Sequence, residues 1–587
     1  MNVVGISAFY HQSTCCLLRD GTLVAAASEE RFSRAKHDPR LPVEAFRFCL
    51  RRGGLDLTGV DAVAYYEPPR RKLARQLWAG PAADDELAWL DPEGPLQAIR
   101  RGLGWEGAID VFPHHLCHAA SAFFYSGFDE AAILVADGVG AWATTSYGRG
   151  AGRQLELFEQ VVFPHSLGLL YATVTAYLGF PINDGEGRVM GLAAYGEPRF
   201  VDQVCQLIGM GPDGQYRLNL RYFDFLRGER MYAPALCELF GAPPRRPGEA
   251  IGRFHQDVAR SLQLVVEETL LEKLRYLHQR TGAGALAMAG GVALNAVANG
   301  RIRRQGPFER LFVQPAAGDA GAALGAAALA HAARTGRRPG ETLRHVFYGP
   351  RYAAEEIDAL LRATGVACED YRGRHEALAE AIAERLAAGK VVGFFHGAME
   401  LGPRALGGRS ILASPLEAGM RQRLNQRVKR REDFRPFAPS VLAAHAAEHL
   451  DLAGPAPFMV ETCAVRSPFE LPAITHADGS TRPQIVDPEV CPRFAAVLAA
   501  FHRRTGCPLL LNTSLNVRGE PIVCSPVDAL FCFADAGLDC LALEDFLIDR
   551  TPEVDRWRQL LAAWERAPRS VFARRRSAIA EHLYTFV

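Results

Sequence analysis

A chain of 587 residues that is 49% hydrophobic and carries 66 basic against 66 acidic side chains has the make-up of a large globular protein, which excludes a disordered chain or a small accessory module. Zero net charge removes the global attraction expected of a nucleic-acid or membrane partner, so neither is predicted. Thirteen cysteines, an odd number with no C-x-x-C, point to free thiols in a reducing compartment. Several of them (Cys16, Cys463, Cys507, Cys532) stand in apolar runs, which predicts burial. The N-terminus lacks a basic leader, and no window reaches about 18 uncharged apolar residues; a cytoplasmic location is the expectation.

Strands are predicted over residues 2–7, 14–18 and 22–26, separated by the polar loop Tyr10-His11-Gln12-Ser13 and an Asp20-Gly21 turn. The same order returns in strands over 132–136, 144–147 and 155–157, with Asp137-Gly138-Val139-Gly140 as the first loop. A hairpin sheet that occurs twice, each first loop facing a shared cleft, is the pattern of actin-like ATPases and sugar kinases. Between the two copies Pro113 opens a helix whose stop is Gly127. Its His114 and His118 are four apart, so one turn places both imidazoles on one face at metal-ligand spacing. Asp137, at the end of the next strand, is placed to add a carboxylate, and two histidines with one carboxylate suit Fe(II), with Zn or Mn tolerated. The same residues are also explained by a helix start, a packed imidazole and a turn.

Further along, a helix over 253–279 leads into a strand over 285–289, the pair Gly290-Gly291 and a helical segment over 292–300 that contains Asn295. Strand, glycine pair and helix make a plausible nucleotide shelf, because glycine lets the backbone approach a ligand and a helix N-terminus offers free N–H groups. A strand over 311–314 precedes Asp319 and an alanine-rich helix over 320–333, where Asp319 alone reads as an N-cap. Composition turns to Arg, Gly and Pro between residues 335 and 350, which sets the expected domains at 1–349 and 350–587.

The second part holds a helix over 376–388, a strand over 390–395 and a strand over 508–511 that runs into Asn512-Thr513-Ser514-Leu515-Asn516-Val517-Arg518. Residues 401–435 carry nine Lys or Arg against three acids. Arg404 and Arg435 lie among glycine, proline and phenylalanine, a setting for planar recognition of phosphate or carboxylate, and Lys429 is grouped with them. Arg421, Arg423, Arg430 and Arg431 read better as a solvated basic surface. The 512–518 stretch has the amides, hydroxyls and arginine of a site that grips a small polar molecule together with phosphate. No function is read for the Arg-rich tail after Arg550.

Six phrases occur in one order: residues 114–122 (HHLCHAASA), 189–196 (VMGLAAYG), 289–295 (AGGVALN), 402–407 (GPRALG), 435–440 (RPFAPS) and 511–516 (LNTSLN). Together they resemble the O-carbamoyltransferases of the NodU/CmcH/TobZ family, over a span from Val3 to about Ile548. The resemblance implies an α/β chain with a duplicated actin-like N-terminal domain (acetate and sugar kinase type) joined to a YrdC-like C-terminal domain. It implies that the C-terminal part makes carbamoyl-adenylate from carbamoyl phosphate and ATP, with magnesium accompanying the nucleotide. The N-terminal part, with iron or another divalent metal, then passes the carbamoyl group to a hydroxyl of a small molecule, as in antibiotic and other secondary metabolism.

By position, Arg404, Lys429, Arg435, Arg482, Asn512, Ser514, Asn516 and Arg518 would hold carbamoyl phosphate and ATP, and His114, His118, Asp137 and Asp319 the metal. Gly290, Gly291 and Asn295 would face a nucleotide in the N-terminal domain, and His11 and Lys36 would serve transfer. A homodimer is compatible with the resemblance. The chain departs from the family at Gln12, where an aspartate is usual after the histidine, and at Ala141-Trp142, where an acid often follows the Asp-Gly-x-Gly loop. Two other readings of the scaffold are carbamoyl or threonylcarbamoyl transfer to tRNA and an actin-like regulatory ATPase. The acceptor is not written in these motifs; the aromatics Tyr216, Tyr222, Phe223, Phe225 and Tyr232 read either as an acceptor wall or as core.

Overall fold

The structure, a computed structural model, describes residues 1–80, 91–226, 229–340, 342–552 and 554. The described residues form two compact units, one of 1–29 and 37–343, the other of 30–36 and 344 onward. Assignment of 30–36 to the second unit was not foreseen from sequence, where a short Arg-rich stretch between two elements carries no partner signal.

In the first unit, β1 (Asn2–Ser7), β2 (Thr14–Arg19), β3 (Thr22–Ser28), β4 (Ala62–Tyr65) and β5 (Ile109–Val111) form a sheet of order β3-β2-β1-β4-β5. Helix α1 (His114–Phe123) follows. A second sheet contains β6 (Glu130–Ala136), β7 (Ala143–Ala151), β8 (Gln154–Val162), β9 (Ala285–Ala289) and β10 (Arg310–Val313) in the order β8-β7-β6-β9-β10. In both sheets the first three strands pair antiparallel and the last two add in parallel, so the predicted duplication is present strand for strand. Between β8 and β10 stand the long helix α2 (Arg253–Thr281) and α3 (Ala296–Gln305); α4 (Asp319–Thr335) follows β10.

Helix α4 explains its own composition. It packs against β1, β2, β4 and α1. A Cβ at Gly5 of β1 would fall 2.1 Å from the Ala323 carbonyl oxygen, and one at Gly325 would fall 1.7 Å from that of Cys117. Only alanine and glycine permit such approach on two sides, and the approach draws the first turn of α4, with Asp319, toward α1.

Helix α1 ends at Phe123, short of the predicted stop at Gly127. Ser126 closes it: its Oγ donates to the Phe123 carbonyl at 2.8 Å and accepts from Phe128 N at 3.0 Å, a local turn that competes with further helix.

The second unit is built on a mixed eight-stranded sheet of β11 (Glu369–Asp370), β12 (Val392–Phe395), β13 (Arg409–Ala413), β14 (Ala438–Leu442), β15 (Gln484–Val486), β16 (Leu509–Ser514), β17 (Cys540–Leu543) and β18 (Phe546–Asp549). Their order is β11-β18-β17-β12-β13-β16-β14-β15. Helices α5 (His375–Ala387) and α6 (Pro492–Thr505) pack on each other, and α7 (Pro526–Ala536) lies on β12 and β17. Phe395, Leu412, Phe501, Leu510 and Leu541 lie at the centre of this core. Strand β16 runs three residues beyond its predicted end because both edges are paired: Asn512 stands opposite Leu412 on one side and Ala438 on the other.

All thirteen cysteines are free, and Cys16, Cys463, Cys507 and Cys532 are buried as expected. Among the described residues no helix is long and apolar enough to cross a membrane. The tail beyond residue 554 lies outside the described residues.

Candidate metal centre and anion site

His114 and His118 project from successive turns of α1 with their Nε2 atoms 3.0 Å apart. Asp137, at the C-terminal end of β6, brings Oδ2 to 3.3 Å from His114 Nε2 and 3.7 Å from His118 Nε2. Asp319, in the first turn of α4, brings Oδ1 to 3.4 and 3.5 Å from the same two atoms. The four predicted ligands are thus brought together, all buried, with one donor atom from each inside a span of 4.8 Å.

Bonds of about 2.1 Å from one ion place neighbouring donors roughly 3.0–3.4 Å apart at octahedral or tetrahedral angles, so these spacings fit a single divalent ion. Two imidazoles and two carboxylates suit Fe(II), Zn or Mn by chemistry. Asp319 Oδ2 is buried with no hydrogen-bond partner, an orphan that a cation would satisfy.

Electrostatics agree with that donor set. Burial alone would lower the His114 imidazole, but Asp319 and Asp137 outweigh it and hold it up at about 10. His118 is also raised against burial, by hydrogen bonds to the same two acids. Both carboxyls are in turn held below the usual range, the histidines outweighing desolvation. Four buried groups that share charge in this way could hold a dication in place of the protons.

The glycine pair and Asn295 make contacts of their own within the first unit. Gly290 adopts φ +93°, and a Cβ there would lie 2.3 Å from the Ala136 carbonyl oxygen. This close approach lets Gly291 N–H donate to Asp137 Oδ1 at 2.8 Å and leaves Oδ2 for the histidines. The Asn295 side chain caps α3 through Ala298 N at 3.1 Å and exchanges hydrogen bonds with Gln263. Its amide is therefore engaged in tying α2 to α3.

Glu67 was missed. It is buried, with Oε1 3.7 Å from His114 Nδ1 and Oε2 3.2 Å from Lys72 Nζ. A lone glutamate after a strand carries no pattern, and the only hint was its place in Tyr65-Tyr66-Glu67; the Tyr66 ring packs on His114 at 4.9 Å. His11, on the first loop, lies in the field of Asp319, Asp137, His37 and His114; burial lowers its imidazole below the usual value although the two aspartates pull upward. Lys36 is exposed and belongs to the second unit.

One part of the second unit gathers several cations whose charges act on one another. Burial and Arg435 push the Arg404 guanidinium down to about 10. Arg482 is held well below its ordinary value by burial together with Arg404, Arg431 and Arg435, and Lys429 by burial with Arg431, Arg435 and Lys36. The largest charges acting on these three groups include no carboxylate. Arg431, expected on a solvated surface, instead belongs to this set: Nε donates to Asn425 Oδ1 at 2.7 Å and the guanidinium lies 4.6 Å over the Phe437 ring. The sequence offered no way to separate it from its neighbours because the turn there is π-helical, Leu424–Val428, which resets the phase of side chains after it. Mutual repulsion among these cations would be relieved by an anion bound between them.

The loop that bears Arg404 is held from several sides. Glu400 is buried and accepts from the backbone N–H of Leu406, Gly408 and Arg409 at 2.8, 2.8 and 3.1 Å. Arg409, fully buried, stacks on Phe395 at 3.6 Å and donates to the carbonyls of Pro350, His396, Gly397 and Gly408. Asn512 donates to Ala405 O at 3.3 Å, Ser440 Oγ at 3.0 Å and Gln484 Oε1 at 3.1 Å. From residues 30–36, Arg31 donates to Gly402 O at 2.8 Å while Arg34 donates to Ile522 O at 2.7 Å and Pro521 O at 2.9 Å. Lys429 is cradled by Ser514 O and Oγ and by Asn516 O and Oδ1. Arg518 is exposed and donates to Arg430 O at 3.3 Å.

Glu400→Ala is expected to destabilise the chain by about 3 kcal/mol or more, since three backbone N–H groups lose a charged acceptor. Denaturant unfolding measures it; an unchanged midpoint would mean the loop does not depend on this carboxylate.

Residues 2–78 and 105–328 match a family model described as Carbamoyltransferase N-terminus, and residues 383–550 match one described as Carbamoyltransferase C-terminus. The chain is 42% identical to an uncharacterized protein of Synechocystis sp., sll1178, over 94% of this chain and 98% of the relative. It is 37% identical to the nodulation protein NolNO of Sinorhizobium fredii, over 94% of this chain and 81% of that one. Among solved structures, HypF of T. kodakarensis aligns with a TM-score of 0.30 and 15% identity, over 57% of this chain and 48% of its own.

Proposed function

This chain belongs to the carbamoyltransferase family and is a carbamoyltransferase, and from that premise we propose that it activates carbamoyl phosphate with ATP and carbamoylates a hydroxyl of a small-molecule natural product. What supports the reading above all is the set of cations Arg404, Lys429, Arg431, Arg435 and Arg482, of which Lys429 is buried and the arginines half-buried, and whose mutual repulsion lowers Arg404, Lys429 and Arg482. Bringing carbamoyl phosphate beside the triphosphate of ATP and its magnesium requires fixed positive charge, and these groups offer it without reorganisation at the moment of reaction.

In this scheme carbamoyl phosphate loses phosphate to water and leaves carbamate. A carbamate oxygen attacks the α-phosphorus of ATP, pyrophosphate departs, and carbamoyl-adenylate forms. Lys36, whose charge acts on Lys429, offsets the nucleotide's phosphate charge. For transfer, the acceptor oxygen attacks the carbamoyl carbon, its proton passes to the neutral His11 imidazole, and AMP leaves. His114, His118, Asp137 and Asp319 would hold a divalent ion, Fe(II) in our assignment, which would supply Lewis-acid chemistry when bound. Glu67 and Gly291 keep His114 and Asp137 turned toward that point.

The test is product analysis with ATP and carbamoyl phosphate in the absence of RNA. AMP and pyrophosphate are expected; ADP as the sole nucleotide product would defeat the scheme and favour a regulatory ATPase.

A further inference from the structure

The aromatics first considered for the acceptor lie inside the first unit. Tyr216, Tyr222, Phe223 and Phe225 are buried, and the Tyr216 hydroxyl is spent on Thr145 Oγ1 at 2.7 Å. A different aromatic surface stands in the open. Among the described residues six large hydrophobics are exposed, and three of them, Leu77, Trp78 and Val162, border one place, the end of the helix over Pro69–Ala79 and the end of β8. Trp78 is 54% exposed and packs edge-on against Trp142 at 6.0 Å and Phe163 at 5.9 Å. The wall is built rather than incidental. Phe163 is buried, donates its N–H to the Trp142 carbonyl at 2.8 Å and takes the buried Arg75 guanidinium at 5.5 Å from its ring.

One loop joins this wall to the candidate metal centre. Trp142 closes the loop that begins at Asp137, and a Cβ on Gly140 of that loop would lie 3.0 Å from the His114 ring. Two residues of chain span at most about 7 Å, so the wall begins within about 10 Å of the metal ligands. The indole N–H groups of Trp78 and Trp142 donate to no protein acceptor among the described residues, whereas that of Trp105 donates to Ala108 O at 3.1 Å. Half-exposed rings with free donors bind a ligand that is apolar on one face and rich in hydroxyls at its rim. A purely aliphatic ligand would cover the rings and strand both donors.

We propose that Trp78 and Trp142 form an acceptor subsite that stacks on the ring face of a glycoside, donates to its hydroxyls and leaves a further hydroxyl directed to the metal centre. The assignment rests on the carbamoyl-transfer reading for its purpose but not for its test. It also gives the family departure at Ala141-Trp142 a role: an aromatic platform stands where an acid is usual.

The experiment is titration of the full chain, without ATP or carbamoyl phosphate, by cellotetraose, chitotetraose and maltotetraose, with 1,2-hexanediol as the aliphatic alcohol. Tryptophan emission and calorimetry report binding; circular dichroism of the variants reports folding. At least one tetraose is expected to shift the emission and bind, with affinity reduced about tenfold or more in Trp78→Ala and in Trp142→Ala, and with Trp78→Phe intermediate because it keeps a ring but loses the donor. The proposal is overturned if none of the three sugars binds, if folded alanine variants bind as the unaltered chain does, or if the diol gives the same response. Because no nucleotide is present, failure here leaves the product analysis with ATP and carbamoyl phosphate untouched, and failure there leaves this titration standing.

Discussion

Asp319→Ala is expected to strip the purified chain of its divalent ion and to lower carbamoyl transfer by roughly a thousandfold, the worth of about 4 kcal/mol of lost charge stabilisation. The residue has no substitute nearby: it is buried, it faces both Nε2 atoms, and its second oxygen has no hydrogen bond to lose. Release of pyrophosphate, assigned to residues of the other unit, is expected to fall far less. Metal content by plasma emission is the direct readout, and a variant that keeps stoichiometric metal would remove Asp319 from the ligand set. The same site sets the direction of a pH effect. Without the ion, Asp319 and Asp137 keep His114 protonated up to about 10. Uptake of a cation must expel that proton, so affinity is expected to weaken about tenfold for each pH unit lowered across the neutral range. Metal titrations at pH 6, 7 and 8 check it, and an affinity independent of pH would contradict it.

Arg482→Met is expected to stabilise the ligand-free chain, against the usual sign for a substitution at a half-buried position. The methionine keeps most of the stem's packing and removes a charge that Arg404, Arg431 and Arg435 all oppose. Relief of about 1 kcal/mol would raise the thermal transition by roughly 2–4 °C. Pyrophosphate at about 100 times its Kd should add roughly 2.7 kcal/mol to the unaltered chain and much less to the variant. A lower midpoint in the variant, together with an undiminished shift by pyrophosphate, would mean that these cations do not share an anion.

The parts of this molecule that follow a local rule were legible before the structure. The i, i+4 histidines, the aspartate that ends a strand and the strand-loop-strand phrase that occurs twice are each set by the geometry of one element. The groups that complete the sites are of another kind. Glu67, Arg31 and Arg34 act through partners far along the chain, at the 402 and 522 carbonyls for the two arginines, Glu400 acts on amides of an irregular loop just after it, and a lone charged side chain carries no period that would mark it. The surface reading of Arg431 and the expected end of the strand before Asn512 differ from the structure for a related reason. A wide helical turn changes which face a side chain takes, and a strand paired on both edges outlasts its apolar run. Arg518 shows the converse, since a suggestive neighbourhood in sequence left it on the surface.

The attachment of residues 30–36 constrains how such a gene can be divided or recombined. A chain started at residue 344 would inherit the eight-stranded sheet but not the two arginines that grip carbonyls 402, 521 and 522. Splitting the coding sequence at that point, or exchanging only its latter half with a relative, therefore separates a loop from its own fastener. A short peptide spanning the missing stretch, supplied separately, is what such a fragment would need to recover its grip.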